Sequence, residues 1–330
     1  MKNLLIKLSV IFILIFVLLG CEENFSPKTE KKDAIFLYAF IKANDAPPPA
    51  PAVKQVVVIT KVYDVEGFDP MINNVDPTIK NAVVTLTVSN RANNLTLDSV
   101  ASDYQNRRQQ YFYSGYVGVQ SYDSIIIAAK LSNGKTLSGK TRTPKYLNFE
   151  FSYPYNHGFT TNLNQVIPVN SWTVTWFNNN PMHLLFPRLL IKYKQNLGSS
   201  TVTKSIIVPN SLINRNGIKE PIYTEYFKAN GITYNFDAVD YAMAKLSEGN
   251  PNKSDYTLMG LYFDIVELDL PLTNYYSATN GYLDAYSIRA DANIYTNISG
   301  GYGVFGAMFT SSFYKELDIN YVESFGYQKL

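Results

Sequence analysis

Cysteine is almost absent from these 330 residues; Cys21 is the only one. A single thiol excludes an internal disulfide and leaves no cysteine set for a metal site. Whatever core the chain builds must hold without covalent cross-links. Histidine is nearly as scarce, with His157 and His183 alone, so a His-Glu-x-x-His zinc motif is excluded. Charge of one sign is missing too: 29 basic residues face 27 acidic ones, a formal net charge of +2. That balance provides no basic surface for nucleic acid, which is not expected as a partner. No Gly-x-Ser-x-Gly elbow and no Gly-x-x-x-x-Gly-Lys phosphate loop occurs, and no cofactor is expected.

Long apolar runs are confined to the amino-terminal end. Lys2 and Lys7 supply positive charge, Val10 to Leu19 is uninterrupted and apolar, and Leu18-Leu19-Gly20-Cys21 closes the run. That stretch is about ten residues, half of the ~20 that a membrane-spanning helix needs at about 1.5 Å per residue. It reads as the hydrophobic part of an export signal over residues 1–20. A small residue directly before cysteine resembles the lipobox of bacterial lipoproteins. The resemblance implies cleavage before Cys21 and acylation of its thiol and amino group with palmitate-type chains. Two or three chains anchor firmly where one holds only marginally. An ordinary signal peptide would need the chain's one cysteine to fall at the cleavage point by accident. Losing Lys2 and Lys7 and no acid leaves 27 basic against 27 acidic residues.

The rest is rich in Tyr, Phe, Asn, Thr and Val, which suit pleated surfaces better than helices and predict a mostly β fold. Residues 21–33 are polar and read as a lipidated tether. Residues 34–146 read as a β-sandwich domain, immunoglobulin-like or transthyretin-like. Its strands are expected near Ile35–Ile41, Val56–Thr60, Ala82–Ser89, Gln110–Val119, Tyr122–Leu131 and Thr136–Arg142. Asn133-Gly134 predicts a type I′ hairpin turn between the last two. Residues 147–330 read as a second, mixed β domain with one or two short helices. Asn235 is expected to cap one helix, with Phe236, Val239, Met243 and Leu246 inward and Gly249 past its end. Thr273 or Asn274 is expected to cap the other. Trp172 and Trp176 share a strand face and are placed in the core.

Few residues offer chemistry. Asp64, Glu66 and Asp69, with Asp76, could gather oxygen ligands for Ca²⁺, though they lack the EF-hand spacing; the plainer reading is a solvated loop. Asp264, Glu267 and Asp269 alternate with apolar residues and read as the polar side of a strand, with a paired-carboxylate hydrolase site as the sharper alternative. His157 reads as a loop residue, and neither histidine has an obvious partner in sequence. Tyr153 and Tyr155, or Tyr275 and Tyr276, could present rings to a sugar or a protein, although aromatics in a β protein more often fill its core.

Near the far end, Asn297, Gly300, Gly301, Gly303 and Phe305 stand in the run Asn-Ile-Ser-Gly-Gly-Tyr-Gly-Val-Phe-Gly. This resembles the closing motif of a family of uncharacterised Bacteroidota lipoproteins, a domain of unknown function. The order of lipobox, β-sandwich, Trp-containing strands and a Tyr-Tyr helix is similar as well. The resemblance implies an outer-membrane address and the company of a TonB-dependent β-barrel receptor, but no reaction. Glu22 and Glu23 after Cys21 resemble the acidic surface-export signal of the same phylum, which favours the cell surface over the periplasmic face. The glycines are expected to make a structural turn that buries Phe305 against the second domain. The sequence therefore predicts a lipid-anchored, non-enzymatic accessory or ligand-binding protein held to the membrane through Cys21. A surface glycan hydrolase and a structural or adhesive protein are the competing readings.

Overall fold

The first apolar run after the tether becomes strand β1 (Ile35–Ala43) in the computed structural model, which describes residues 34–43, 51–61, 76–101, 109–151, 171–177, 180–224, 230–280 and 295–330. Ile35–Lys61 and Asp76–Leu330 form one compact unit, which holds every element named below. Met1–Ala34 and Val62–Val75 form another, of which only Ala34 is described. The leader, Cys21 and Asp64, Glu66 and Asp69 thus lie outside the described residues. So do Tyr153, Tyr155 and His157.

The unit is mostly β, a large mixed sheet with short helices, as the composition predicts. After β1 come β2 (Val53–Lys61), β3 (Val83–Val88), β4 (Arg91–Val100), β5 (Gln110–Val117), β6 (Ser124–Lys130) and β7 (Thr136–Arg142). Then follow β8 (Phe149–Phe151), β9 (Ser171–Trp176), β10 (Leu185–Asn196), β11 (Thr201–Val208), β12 (Ser211–Arg215), β13 (Ile218–Ile222) and β14 (Gly231–Asn235). Helix α1 (Phe236–Lys245) leads to β15 (Tyr256–Leu268). Helix α2 (Leu270–Asn280) precedes β16 (Tyr302–Lys315), and α3 (Ile319–Ser324) and β17 (Gln328–Lys329) close the chain. Among the described residues no helix is long and apolar enough to cross a membrane.

The main sheet runs β11-β10-β15-β16-β1-β2-β5-β4-β3-β6-β7. At its centre β1 pairs in parallel with β16, from Phe36 opposite Tyr302 to Ala43 opposite Phe309. Strand β4 belongs to two layers: Thr96–Val100 pair with β5, while Arg91–Leu95 pair with β3. The sheet therefore folds over on itself. Leu37, Ile59, Leu86, Tyr113, Ile127 and Leu137 from β1 to β7 meet in one core, and Phe305, Ala307 and Phe309 of β16 join them. Phe305 is fully buried, but the expectation that it packs against the C-terminal domain is corrected. It lies among the N-terminal strands, under Gly139 of β7.

A second core lies where β10 and β15 meet the small sheet β14-β9-β8 and helix α1. Trp172 and Trp176 are both in it, with Phe263, Ile265, Tyr234 and Met243. Helix α1 starts after Asn235 and turns Phe236, Val239 and Met243 inward, as the spacing predicts, although the Asn235 side chain makes no cap bond. A third cluster sits on the opposite face of the main sheet, where Leu272 of α2 covers Leu268 and Val304.

Two turns differ from expectation. Gly134 has φ of +83°, but Asn133 does not share it, so the type I′ turn predicted there is not formed. The type I′ signature of two positive φ values occurs instead at Ser89-Asn90, which joins β3 to β4, and at Asn216-Gly217 between β12 and β13.

Candidate functional site

Strand β15 pairs with β16 only as far as Leu268 opposite Met308. Beyond that point the edge of β16 would present unpaired backbone in the interior, which is costly. Asp269, through backbone and side chain, and the Asn297 side chain complete it. The backbone of Asp269 donates to the Ala307 carbonyl (2.9 Å), and its Oδ2 accepts from the Ala307 N–H (2.6 Å). One step on, Asn297 takes the place of a strand: its Nδ2 donates to the Phe305 carbonyl (2.7 Å), and its Oδ1 accepts from the Phe305 N–H (2.9 Å). That is the work of the Asn in the glycine motif. Gly300 and Gly303 have φ of +80° and +113°, and a Cβ on them would collide with the carbonyl oxygens of Thr136 and Leu37 respectively.

Asp269 has a further task. Its Oδ1 accepts from Leu272 N (2.9 Å), which caps helix α2, and its Oδ2 also accepts from Thr141 Oγ1 of β7 (2.5 Å). One carboxyl group thus ties together α2, β16 and β7. Burial pushes its pKa up to about 6, outweighing the three hydrogen bonds and the nearby His183 that pull it down. The capping expectation at Thr273 is corrected. The Thr273 hydroxyl instead accepts from Leu184 N (3.0 Å), and so fixes the segment that carries His183.

Glu267 is 1% exposed and Asp269 is 2% exposed, so the reading of these acids as the polar side of a strand is overturned. Strand parity explains it: Glu267 lies on the same face as Phe263 and Ile265, which point into the second core. Glu267 Oε1 lies 2.6 Å from His183 Nδ1, while its Oε2 is buried with no partner among the described residues. This bond occupies Nδ1 and leaves Nε2 for another partner. Nε2 has none among the described residues.

His183 and Asp269 line a cleft of about 240 Å³. Tyr122, Thr141 to Lys145, Asn180, Leu270 and Pro271 form the rest of its wall. Tyr122 has φ of +67°, unusual for a bulky residue, and its N–H donates to the Pro144 carbonyl (3.2 Å). Its ring is a platform for two cations: Arg142 Cζ and Lys145 Nζ each lie 4.5 Å from the ring centre. The cleft is therefore two-sided, with exposed cations at its mouth and an oriented imidazole backed by buried acids.

The structure places the other sequence candidates elsewhere. Tyr275 packs against Tyr38 and Phe40 (ring centres 6.3 and 6.2 Å apart), and Tyr276 packs edge-on to Phe186 (5.3 Å). Both lie on the helix-covered face of the main sheet, half-buried. Asp76 is engaged by Lys80 (2.8 Å) and by Thr78 N (3.0 Å). Burial pushes its carboxyl up, but these bonds hold it below the usual range. Among the described residues no group of three or more His, Cys, Asp or Glu side chains gathers as metal ligands. Sequence reasoning missed the His183–Glu267 pair, whose members stand 84 residues apart. One local signal was present: Asp269 two residues before Pro271 is a helix-start pattern. No protein-family model matches the chain, and no curated protein matches it either.

Proposed function

We propose that this chain is a lipid-anchored outer-membrane protein, exposed at the cell surface, that binds a small polar ligand in the cleft without transforming it. In this reading it serves as an accessory to an outer-membrane β-barrel receptor. The leader, Cys21 and the acids after it support the address. The observation that carries the binding role is the His183–Glu267 pair. Keeping a carboxyl group buried with one oxygen unpartnered costs stability, on the order of 1–3 kcal/mol, and core packing does not require it. What the pair does is hold an imidazole with one nitrogen free at a cleft.

The test has two arms. Cys21→Ser should move the protein from the membrane pellet to the soluble fraction. A panel of small polar compounds should include one that raises the melting midpoint of the wild type and leaves His183→Ala unmoved. A wild type that no compound shifts would count against the binding role. One observation favours a second, hydrolytic reading: an imidazole oriented by a carboxyl group has the arrangement of a general base. Asp269 is a poor second acid, because its oxygens already take bonds from three donors. Glycoside turnover that disappears in His183→Ala would establish hydrolysis instead.

A further inference from the structure

We propose that the cleft beside Tyr122 takes a compact oxyanion, a carboxylate or phosphate group on a small ligand, held by Arg142, Lys145 and His183. This rests on the cleft being a ligand site and adds the class of its ligand. Among the described residues, three of the five other cations over rings are paired with an acid, while Lys192 over Tyr262 and Lys253 over Tyr327 each stand on a ring alone. Lys54 over Phe112 bonds Asp98, Lys80 over Tyr111 bonds Asp76, and Lys245 near Tyr241 bonds Glu248. Arg142 and Lys145 share one ring and have no acid partner among the described residues. Two like charges brought to one platform repel each other, and an anion between them relieves that repulsion.

The geometry suits such a group. The Tyr122 ring restrains both long side chains, so less rotamer freedom is lost when a ligand binds. A guanidinium presents a planar fork that matches a carboxylate or phosphate edge, and an ammonium adds a movable point charge. His183, whose Nε2 has no partner among the described residues, stands in the same wall as a further hydrogen-bonding group. The acids behind do not cancel the cations: Asp269 is covered by its three donors, and Glu267 is turned to the imidazole. At about 240 Å³ the cleft is below the ~300–1,000 Å³ of drug-sized sites, so it holds one charged group with a small body.

The experiment titrates the chain, purified from membranes in detergent, with glucuronate, with inorganic phosphate and with glucose as the neutral control. At low salt one oxyanion should bind at least about tenfold more tightly than glucose, and the doubly substituted Arg142→Gln, Lys145→Gln protein should lose about tenfold of that affinity. Both residues are exposed, so the double variant should melt like the wild type; if it does not, the two single variants serve in its place. Binding of glucuronate alone assigns a carboxylate, and binding of phosphate alone assigns a phosphate. If glucose binds as tightly and the double variant is unchanged, the oxyanion is overturned while the cleft remains a binding site. If no probe binds at all, both readings fall.

Discussion

Replacing Asp269 with asparagine removes the titratable proton from the junction of β7, β16 and α2 and keeps the side chain's size. In the wild type the folded-state pKa is about 6 against an ordinary 3.8. The sign follows from that order. The folded state holds its proton to higher pH than the unfolded chain, so the stabilisation is full below about pH 4 and is lost as pH rises through 6. A gap of about two units at ~1.4 kcal/mol each makes the loss about 3 kcal/mol. The variant has no such slope. It has a constant penalty instead, because an amide offers one oxygen to three donors. With that oxygen toward Ala307 and Thr141, the NH₂ group faces the N–H of Leu272, which costs about 1–3 kcal/mol. The wild type should therefore be clearly more stable at pH 4.5, and the gap should shrink by about 2 kcal/mol by pH 7.5, the rest of the effect lying below pH 4.5. Urea denaturation at half-unit steps of pH measures this. Contributions from Asp76 and Asp98, which run the other way, cancel in the difference between the two proteins. Parallel profiles across pH 4 to 7.5 would refute the reasoning, since Asp269 would then not titrate in that range.

The glycine motif yields two further expectations. Gly303→Ala places a Cβ against the Leu37 carbonyl oxygen at a φ that alanine avoids, and should cost about 3 kcal/mol or more in a urea melt. Asn297→Ala strips both partners from the backbone of the fully buried Phe305, and should cost roughly 2–4 kcal/mol. Its Phe305 amide should also exchange with solvent much faster than the paired amides of β1, and unchanged exchange would mean that another group replaces Asn297.

Most strands were legible because they are short runs of β-branched and aromatic residues between turn residues. Ile35–Ala43 and Ser124–Lys130 are near-continuous apolar runs whose alternation emerges only in burial, whereas Val83–Val88 already alternates in sequence. Strand β4 was not, since Arg-Ala-Asn-Asn is poor strand material and its turn, Ser89-Asn90, takes two positive φ values without a glycine. Asn216-Gly217 had the stronger signal, and Asn133-Gly134 had the same dipeptide without the same turn. A dipeptide shows what a backbone tolerates, and the flanking register decides what it adopts. The pairing of β1 with β16 leaves no local trace, because its partners lie more than 260 residues apart. Glu267 was misread for a different reason. Parity already put it with Phe263 and Ile265, but its charge was given more weight than its position.

The cleft lies where the sheet changes partners, and that explains its contents. Strand β15 stops short of the end of β16, so Asp269 must finish the edge and begin α2 within a single residue. Its remaining bonding capacity reaches Thr141, and Leu147 N donates to the buried Ser311 hydroxyl of β16 (3.0 Å). Arg142 and Lys145 lie between those two ties, so the stretch that carries both cations is fixed at each end to the same sheet. On the other side, the bond from Leu184 N to Thr273 fixes the segment bearing His183 to the first turn of α2. The cations and the imidazole are thus positioned by the same helix start, although they come from segments 40 residues apart in sequence. A site built this way needs no cysteine and no metal to be rigid. It does need its buried acid, and a change at Asp269 should disturb the cleft even though no ligand need touch that residue.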